Sequence, residues 1–131
     1  MNRIDVVMKF LEAISEGKTG DELDMFYDEN VIQIEYPNLL TKNLTERDLR
    51  ALKEASEKGA QVLKSQSFEL IKAYECGDTV IIEAKWTGVL AIPIGKLSIG
   101  DEMKAHFAQF FDFKNNRIIR QRNYDCFENF L

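Results

Sequence analysis

Three polar residues near the C-terminus, Gln121, Asn123 and Asp125, are the first candidates for chemistry. They lie in a strand-like segment, where alternate side chains point to the same face. The opposite face carries Arg120 and Arg122, which are costly to bury without partners. We therefore expect the face with Asp125 to turn inward. A carboxylate and amides that converge in an apolar concavity are typical of a small-molecule site.

A further candidate amide, Gln109, lies on the preceding strand-like segment, 101–113. The residues at a spacing of two around it are apolar: Met103, Ala105, Phe107, Phe111 and Phe113. If the apolar faces of the two segments coincide, antiparallel pairing places Gln109 opposite Asn123. It also places Phe107 opposite Asp125. This register predicts an aromatic cavity that contains one carboxylate and two or three amides.

The register of this hairpin, whose turn is expected at 114–117, decides which polar groups face inward. The same pairing predicts Phe113 opposite Ile119. A β-bulge would shift the pairs by one residue. Neighbouring residues of a strand face opposite sides, so the sequence leaves open whether Asp125 or Cys126 faces the cavity.

Asp125 is the candidate catalytic residue. Burial beside Phe107 and Trp86 would raise the pKa of its carboxyl group toward the range of a useful general base. The alternative is a solvated carboxylate at the rim, or one that pairs with Arg120 or Arg122. These two interpretations predict opposite shifts of the pKa.

The amides have two interpretations as well. Gln109 and Asn123 can orient a substrate carbonyl or stabilise an enolate, and Gln121 is a further binding candidate on the same face. The alternative is that the facing amides satisfy each other's hydrogen bonds in the core.

The remaining candidates for the cavity are aromatic. Trp86, Phe107 and Phe111 are expected to form its walls. Tyr36 can donate its hydroxyl into the cavity, the alternative being an ordinary buried tyrosine with one hydrogen bond. Glu35 alternates away from Tyr36 and is expected to be exposed.

His106 is the only histidine, and histidine is the commonest acid–base residue. It shares a face with Lys104 and Asp112, so we expect it on the convex side, and a role in the cavity would require a bulge. Cys126 has no histidine at a recognisable spacing, which argues against a catalytic thiol.

The first half of the chain has helical periodicity. A first helix is expected over 2–16, with Gly17 just beyond its end, and a shorter amphipathic turn follows. A third helix is expected to begin near Thr45 as the cap, with Asp48 in a variant of the capping box. The apolar face of the first helix is expected to consist of Ile4, Val7, Met8, Leu11 and Ile14.

The second half has the alternation of strands. A short strand over 31–36 ends before Pro37, and the period of two returns from residue 65, with a turn at 77–78. The buried face of the next strand is expected to be Val80, Ile82, Ala84, Trp86, Gly88 and Leu90. Helices followed by strands predict an α+β fold, with the helices on one face of an antiparallel sheet.

Composition excludes several classes of protein. The chain has 131 residues, which suggests a single domain over 1–131, and its net charge of −5 argues against a nucleic-acid partner. No apolar run reaches the roughly 18 residues of a membrane span. The two cysteines form no CxxC pair and there is one histidine, so we expect no metal site and a reduced, cytoplasmic protein.

The order of elements and two motifs resemble the nuclear transport factor 2-like superfamily, a cystatin-like α+β fold. The segment 111–118 is similar to its "FxF-turn-(K/R)I" hairpin, and 122–127 resembles the aromatic-plus-Asp ending of SnoaL-like polyketide cyclases. The resemblance implies a strongly curved antiparallel sheet, shaped as a half-barrel cone and covered by about three helices around a pocket. It also implies a homodimer that forms through the convex face of the sheet.

The chemistry implied by the resemblance is carried over position by position. Ketosteroid isomerase relatives use groups at positions that match Phe10, Tyr36 and Gln109, and all three differ here. In SnoaL-like cyclases an aspartate of the last strand is the general acid–base, and Asp125 is the candidate match. The family often has this acid one residue later, where Cys126 stands.

The first hypothesis is therefore a cofactor-free cyclase or isomerase that uses Asp125 on a small, largely apolar ligand with a carbonyl group. The second is a non-catalytic binding or dimerisation module of the same fold. A third is an epoxide hydrolase-like activity, which in this fold uses two carboxylates and an arginine around a water. Only Asp125 is expected to face inward, so the second acid is missing from the prediction.

Overall fold

A computed structural model describes residues 2–131. Two α-helices and a 3₁₀ segment pack on one sheet of six strands, which confirms the predicted α+β class. The elements in chain order are α1 (Arg3–Ser15), the 3₁₀ segment (Gly20–Phe26), β1 (Tyr27–Glu35), β2 (Thr45–Arg47), α2 (Leu49–Val62), β3 (Leu63–Cys76), β4 (Thr79–Leu90), β5 (Glu102–Lys114) and β6 (Arg117–Phe127).

The sheet is curved and open, with the strand order β2-β1-β6-β5-β4-β3. All neighbouring strands are antiparallel except β1 and β6, which are parallel. The prediction of a wholly antiparallel sheet is wrong for this one pair. The parallel pair joins the first strand to the last one and places the inner face of β1 beside the inner face of β6.

Both helices begin at side-chain caps. Asn2 accepts a hydrogen bond from the backbone N–H of Asp5 at 2.9 Å, and Gly17 follows α1 with a φ of +83°, as predicted for a residue beyond a helix end. The predicted cap of the other helix is wrong, because Thr45 lies in β2 opposite Glu35. Asp48 caps α2 instead, and accepts from the backbone N–H of Ala51 at 2.9 Å.

The face of α1 that packs on the sheet also differs from the predicted one. Val7 and Leu11 are buried as expected, but Met8 is 40% exposed. The buried face is rotated away from Met8, and it includes Val6 and Phe10. Phe10 is central, because its ring makes edge contacts with Phe26, Tyr27 and Phe111 at centroid distances of 5.5, 5.6 and 5.9 Å.

The hairpin between β5 and β6 has the predicted register except next to its turn. Gln109 pairs with Asn123, and Phe107 pairs with Asp125. Phe113 pairs with Ile118 rather than Ile119, because a β-bulge adds one residue to β6 between the turn and Arg120. The bulge allows Ile118 to be buried while the odd-numbered residues from Gln121 onward face inward.

Candidate functional site

A cavity of about 280 Å³ lies between the inner face of the sheet and the helices. One part of its wall is aromatic and includes Trp86 and Phe107. Four predicted polar residues line it: Gln109, Gln121, Asn123 and Asp125. Glu35 and Arg47, which were not predicted for the cavity, line it as well. The cavity therefore combines an apolar wall with a cluster of charged and amide groups.

Asp125 is half-buried in this cavity, on β6 and opposite Phe107. The pKa of its carboxyl group is raised to about 7, mainly by burial and also by the nearby charge of Glu35. A hydrogen bond of 3.3 Å from Gln109 Nε2 to Asp125 Oδ1 acts in the opposite direction. At neutral pH both protonation states are populated, as a general acid–base requires.

A second acid, which the sequence prediction missed, faces the same cavity. Glu35 Oε1 lies 2.8 Å from Arg47 Nη1, and Glu35 Oε2 accepts from Asn38 Nδ2 at 2.9 Å. Burial acts to raise the pKa of Glu35, but the hydrogen bonds from Asn38 and Arg47 hold it below its usual range. Arg47 Nη1 also donates to Gln33 Oε1 at 3.0 Å. Glu35 is therefore an ionised group fixed by its partners.

Tyr36 and Glu35 have exchanged the sides predicted for them. Tyr36 stacks on Tyr124, with ring centroids 4.5 Å apart and an angle of 15°, on the outer face of the sheet. The reason is the parallel pairing of β1 with β6, which aligns Gln33 with Gln121 and Glu35 with Asn123. The sequence does not reveal that β1 pairs with β6. Apolarity alone therefore predicted that the face with Ile34 and Tyr36 is the inner one.

Gln109 and Asn123 face each other across the hairpin but form no hydrogen bond with each other, and both have other partners. Gln121 Nε2 donates to Asn123 Oδ1 at 2.9 Å, and Gln109 donates to Asp125. All three amides are buried, with 2% of Gln121, 5% of Gln109 and 7% of Asn123 exposed. The amide of Gln109 therefore holds Asp125 directly, whereas Gln121 and Asn123 hold each other on the same inner face.

The aromatic wall contains two of the three predicted residues. The rings of Trp86 and Phe107 stack at a centroid distance of 5.6 Å, and Trp86 Nε1 donates to Gln66 Oε1 at 2.9 Å. Phe111 does not form the wall, because it is fully buried against Phe10 beneath the cavity. The cause is the closeness of α1, which covers this part of the sheet.

His106 and Cys126 lie on the outer face. They are cross-strand neighbours, and both side chains are exposed. The possible role of His106 in the cavity is therefore excluded by the register. The same register answers the question that the sequence left open, since Asp125 faces the cavity and Cys126 does not.

A second depression of about 480 Å³ lies between the end of α1 and α2. It shares Ile14, Ala55, Ser56 and Gln66 with the lining of the cavity. The two spaces are therefore neighbours, and Gln66 stands between them with its oxygen held by Trp86.

Residues 2–131 contain neither a metal-ligand cluster nor a membrane-spanning helix. No group of three or more His, Cys, Asp or Glu side chains in this range has the arrangement of a metal site. In the same range, neither helix has both the length and the apolar character required to cross a bilayer.

Comparison with known proteins gives a likeness in structure alone. No family model and no curated protein matches the sequence. IdmH from Streptomyces antibioticus, a proposed polyketide cyclase, superposes with a TM-score of 0.78 at 14% identity, over 95% of this chain and 92% of that one. A SnoaL-like polyketide cyclase from Agrobacterium tumefaciens gives 0.72 at 16% identity, over 95% and 91% of the two chains.

A third similar structure is a protein with a ketosteroid isomerase-like fold from Catenulispora acidiphila, in complex with trimethylamine. It gives a TM-score of 0.73 at 15% identity, over 91% of this chain and 83% of that one. The chain thus has the nuclear transport factor 2-like fold that these proteins share, as its resemblance to that superfamily implied. At these identities the likeness establishes the fold and not the activity.

Proposed function

We propose that the protein is a cofactor-independent enzyme of the SnoaL-like cyclase or isomerase type. Asp125 would be the general acid–base, and the substrate a small, largely apolar molecule with a carbonyl group. The observation that carries this proposal is a half-buried carboxyl group with a pKa of about 7 in a cavity with an aromatic wall. A group with this pKa can both accept and return a proton at neutral pH.

The proposed reaction begins when ionised Asp125 removes a proton from the carbon next to the substrate carbonyl. The electron pair of the broken C–H bond moves to the carbonyl oxygen and gives an enolate, which the amides of Gln109 and Asn123 are placed to stabilise. In an isomerase, protonated Asp125 returns the proton at another carbon. In a cyclase, the enolate carbon attacks a second carbonyl of the same molecule, and Asp125 protonates the resulting alkoxide.

A test that does not need the natural substrate is the exchange of acidic C–H protons of β-tetralone in D₂O, followed by NMR. We expect the protein to accelerate exchange, and Asp125→Asn to lower the rate about 100-fold or more, the usual contribution of a general base. Cys126→Ser, at the next position on the outer face, is the matched control and keeps the rate. Equal rates for Asp125→Asn and the unsubstituted protein would overturn the role of Asp125.

A hydrolase-like reaction is the second candidate, and the pair of Glu35 and Arg47 favours it. With Asp125, this pair supplies the two carboxylates and the arginine that such a reaction uses around a water. The two candidates respond differently to Glu35→Gln. This substitution is expected to abolish hydrolysis of styrene oxide if the second candidate is correct, and to preserve exchange of β-tetralone if the first is correct.

A non-catalytic binding module of the same fold is the remaining alternative. It predicts that β-tetralone binds, and that exchange stays at the buffer rate in every variant. Saturable binding without acceleration would therefore replace the catalytic proposal with this one.

We also propose a homodimer that forms through the outer face of the sheet. The aromatic group of Tyr36, Phe110 and Tyr124 lies there beside Arg122, a composition common at interfaces. Sedimentation of the protein and of Tyr124→Glu tests this, because a dimer should be weakened by a charge in the interface.

We propose in addition that the protein is cytoplasmic. The exposed free thiols Cys76 and Cys126 support a reducing location of this kind.

A further inference from the structure

The side chain of Gln121 has one hydrogen-bonding group in use and one that is not. Its Nε2 donates to Asn123 Oδ1 at 2.9 Å. Its Oε1 is buried and has no hydrogen-bond partner among residues 2–131. A buried acceptor without a partner is costly and is rare in folded proteins, so it needs an explanation.

The only other buried side-chain oxygen that lacks a hydrogen bond in residues 2–131 is a different case. Asp24 Oδ1 lies 2.5 Å from Lys53 Nζ and is therefore in an ion pair. The oxygen of Gln121 has no such compensation. It also lies in a residue that lines the cavity and is only 2% exposed.

Two neighbouring acceptor oxygens differ from that of Gln121, because each has a donor of its own. Gln33, which pairs with Gln121 across β1 and β6, has its Oε1 bound by Arg47. Asp125 Oδ1 accepts from Gln109. Within residues 2–131 no donor bonds the oxygen of Gln121, and the residue belongs to the wall of the cavity, so a ligand in the cavity is the candidate source of a donor.

We propose that Gln121 Oε1 is a specificity-determining acceptor that binds a hydroxyl group of the substrate. The inference rests on the proposed function: the substrate that places its carbonyl end at Asp125 would place a hydroxyl group, at its other end, beside Gln121. A ligand with a hydroxyl group restores the hydrogen bond that burial removed, whereas an analogue without one leaves the oxygen unpaired. Sites that contain such a group discriminate strongly against the analogue.

The spacing of the two residues limits the length of the ligand. Gln121 and Asp125 are four residues apart on β6, so their Cα atoms are separated by about 13 Å at the usual rise of a strand. Both residues line the same cavity of about 280 Å³. A hydroxylated aromatic ketone with two or three fused rings has the length and size to span these groups.

The experiment compares the dissociation constants of 2-naphthol and 2-methoxynaphthalene by calorimetry. The probes differ in that only the first can donate a hydrogen bond. We expect the unsubstituted protein to bind 2-naphthol at least tenfold more tightly than its methyl ether, and Gln121→Met to reduce this preference below threefold. Gln66→Met is the matched control and keeps the preference, because Gln66 also lines the cavity but has its oxygen bound by Trp86.

A second measurement does not depend on the folding of a variant. In the unsubstituted protein, the side-chain carbonyl ¹³C resonance of Gln121 should shift on addition of 2-naphthol and not on addition of the ether. Equal affinity for the two probes, tighter binding of the ether, a preference that survives Gln121→Met, or no saturable binding of 2-naphthol would each overturn the inference.

Asp125→Asn separates this inference from the proposed reaction. If the preference for 2-naphthol persists in Asp125→Asn, the hydroxyl group is bound at Gln121 and not at the acid. If it disappears there, the assignment to Gln121 is wrong. Loss of proton exchange alone would leave the preference, and therefore the assignment, intact.

Discussion

The two carboxyl groups of the cavity, Asp125 and Glu35, have pKa values that shift in opposite directions. Burial raises the pKa of Asp125 to about 7. Burial acts in the same sense on Glu35, but its hydrogen bonds from Asn38 and Arg47 outweigh it and lower the pKa. Separated pKa values divide the roles of two acids in one site. Asp125 is the group that can exchange a proton at neutral pH, and Glu35 is a fixed negative charge.

Removing the charge of Glu35 should lower the pKa of Asp125. In Glu35→Gln we expect this pKa to fall below about 7 but to stay above its ordinary value, because burial is the larger cause of the shift. The measurement is a titration of the side-chain carboxyl ¹³C resonance of Asp125. Glu29→Gln is the control, since Glu29 lies on the same strand but is exposed, and it should leave the titration unchanged. An unaltered pKa in Glu35→Gln would show that the two groups do not interact.

Individual residues were predictable from the sequence where a strand's two faces differ in chemistry. The arginines at 120 and 122 indicated the outer face of β6, and Asp125 was correctly placed inside for that reason. In β1 the same argument failed, because Ile34 and Tyr36 are more apolar than Gln33 and Glu35. Arg47 donates hydrogen bonds to both Gln33 and Glu35, which stabilises these polar side chains on the inner face.

Among the elements, β4 contributes the ring that forms the wall of the cavity. Trp86 lies over Gly88, two residues further along on the same face. A Cβ atom at position 88 would be 2.5 Å and 2.7 Å from two atoms of the indole ring, and 2.9 Å from Leu63 Cδ2. The absence of a side chain at Gly88 therefore determines where Trp86 can lie.

Gly88→Ala should displace Trp86 and destabilise the protein by about 1–3 kcal/mol, the usual cost of overpacking. Denaturant unfolding measures the stability, and the fluorescence of Trp86, the only tryptophan, reports the displacement. Gly59→Ala in α2 is the matched control, because a Cβ atom there meets nothing within 4 Å. Alanine is favoured over glycine in a helix by about 1 kcal/mol, so this variant should be stabilised. Unchanged fluorescence and stability in Gly88→Ala would contradict the close contact.

Elements with a strong periodic pattern were predicted well, and those defined by a distant partner were not. The first helix, the long strand over 79–90 and the final hairpin each follow from their own residues. β2 has only three residues, Thr45–Arg47, and exists because it pairs with β1. The local pattern at Thr45 therefore predicted a helix cap where a strand begins. Because β2 was not predicted, the position of Arg47 beside the cavity was not predicted either.

At the scale of the whole molecule, the site lies between two hydrophobic clusters. One forms where α1 packs on the sheet and includes Phe10, Phe111 and Ile118. The other contains Trp86, Phe107 and Phe130. The polar groups of the cavity belong to neither cluster. Burying the charge of Asp125 among them lowers the free energy of unfolding, and the packing of the two clusters has to offset this loss.

This cost makes stability depend on pH in a defined direction. Asp125 has a pKa of about 7 in the folded protein, above its ordinary value of 3.8, so between these values the folded state keeps a proton that the unfolded state releases. The free energy of unfolding should therefore fall as the pH rises through this window, by up to about 1.4 kcal/mol per pH unit. Asp125→Asn removes this dependence, and denaturant unfolding should show that it gains stability relative to the unsubstituted protein between pH 5 and pH 8.

The control for this prediction is Asp112→Asn, the same substitution on the neighbouring strand. Burial acts to raise the pKa of Asp112, but hydrogen bonds from Arg122 and Thr79 hold it below its ordinary value. The ionised carboxylate of Asp112 stabilises the protein fully at any pH above its ordinary pKa of 3.8. This stabilisation is lost only as the pH falls through the lowered pKa of the folded state. Asp112→Asn should thus cost the same at pH 5 and pH 8, whereas the effect of Asp125→Asn should change between them. An effect of Asp125→Asn that is equal at both pH values would mean that Asp125 does not change its protonation state between them and is not the acid–base on which the proposed reaction depends.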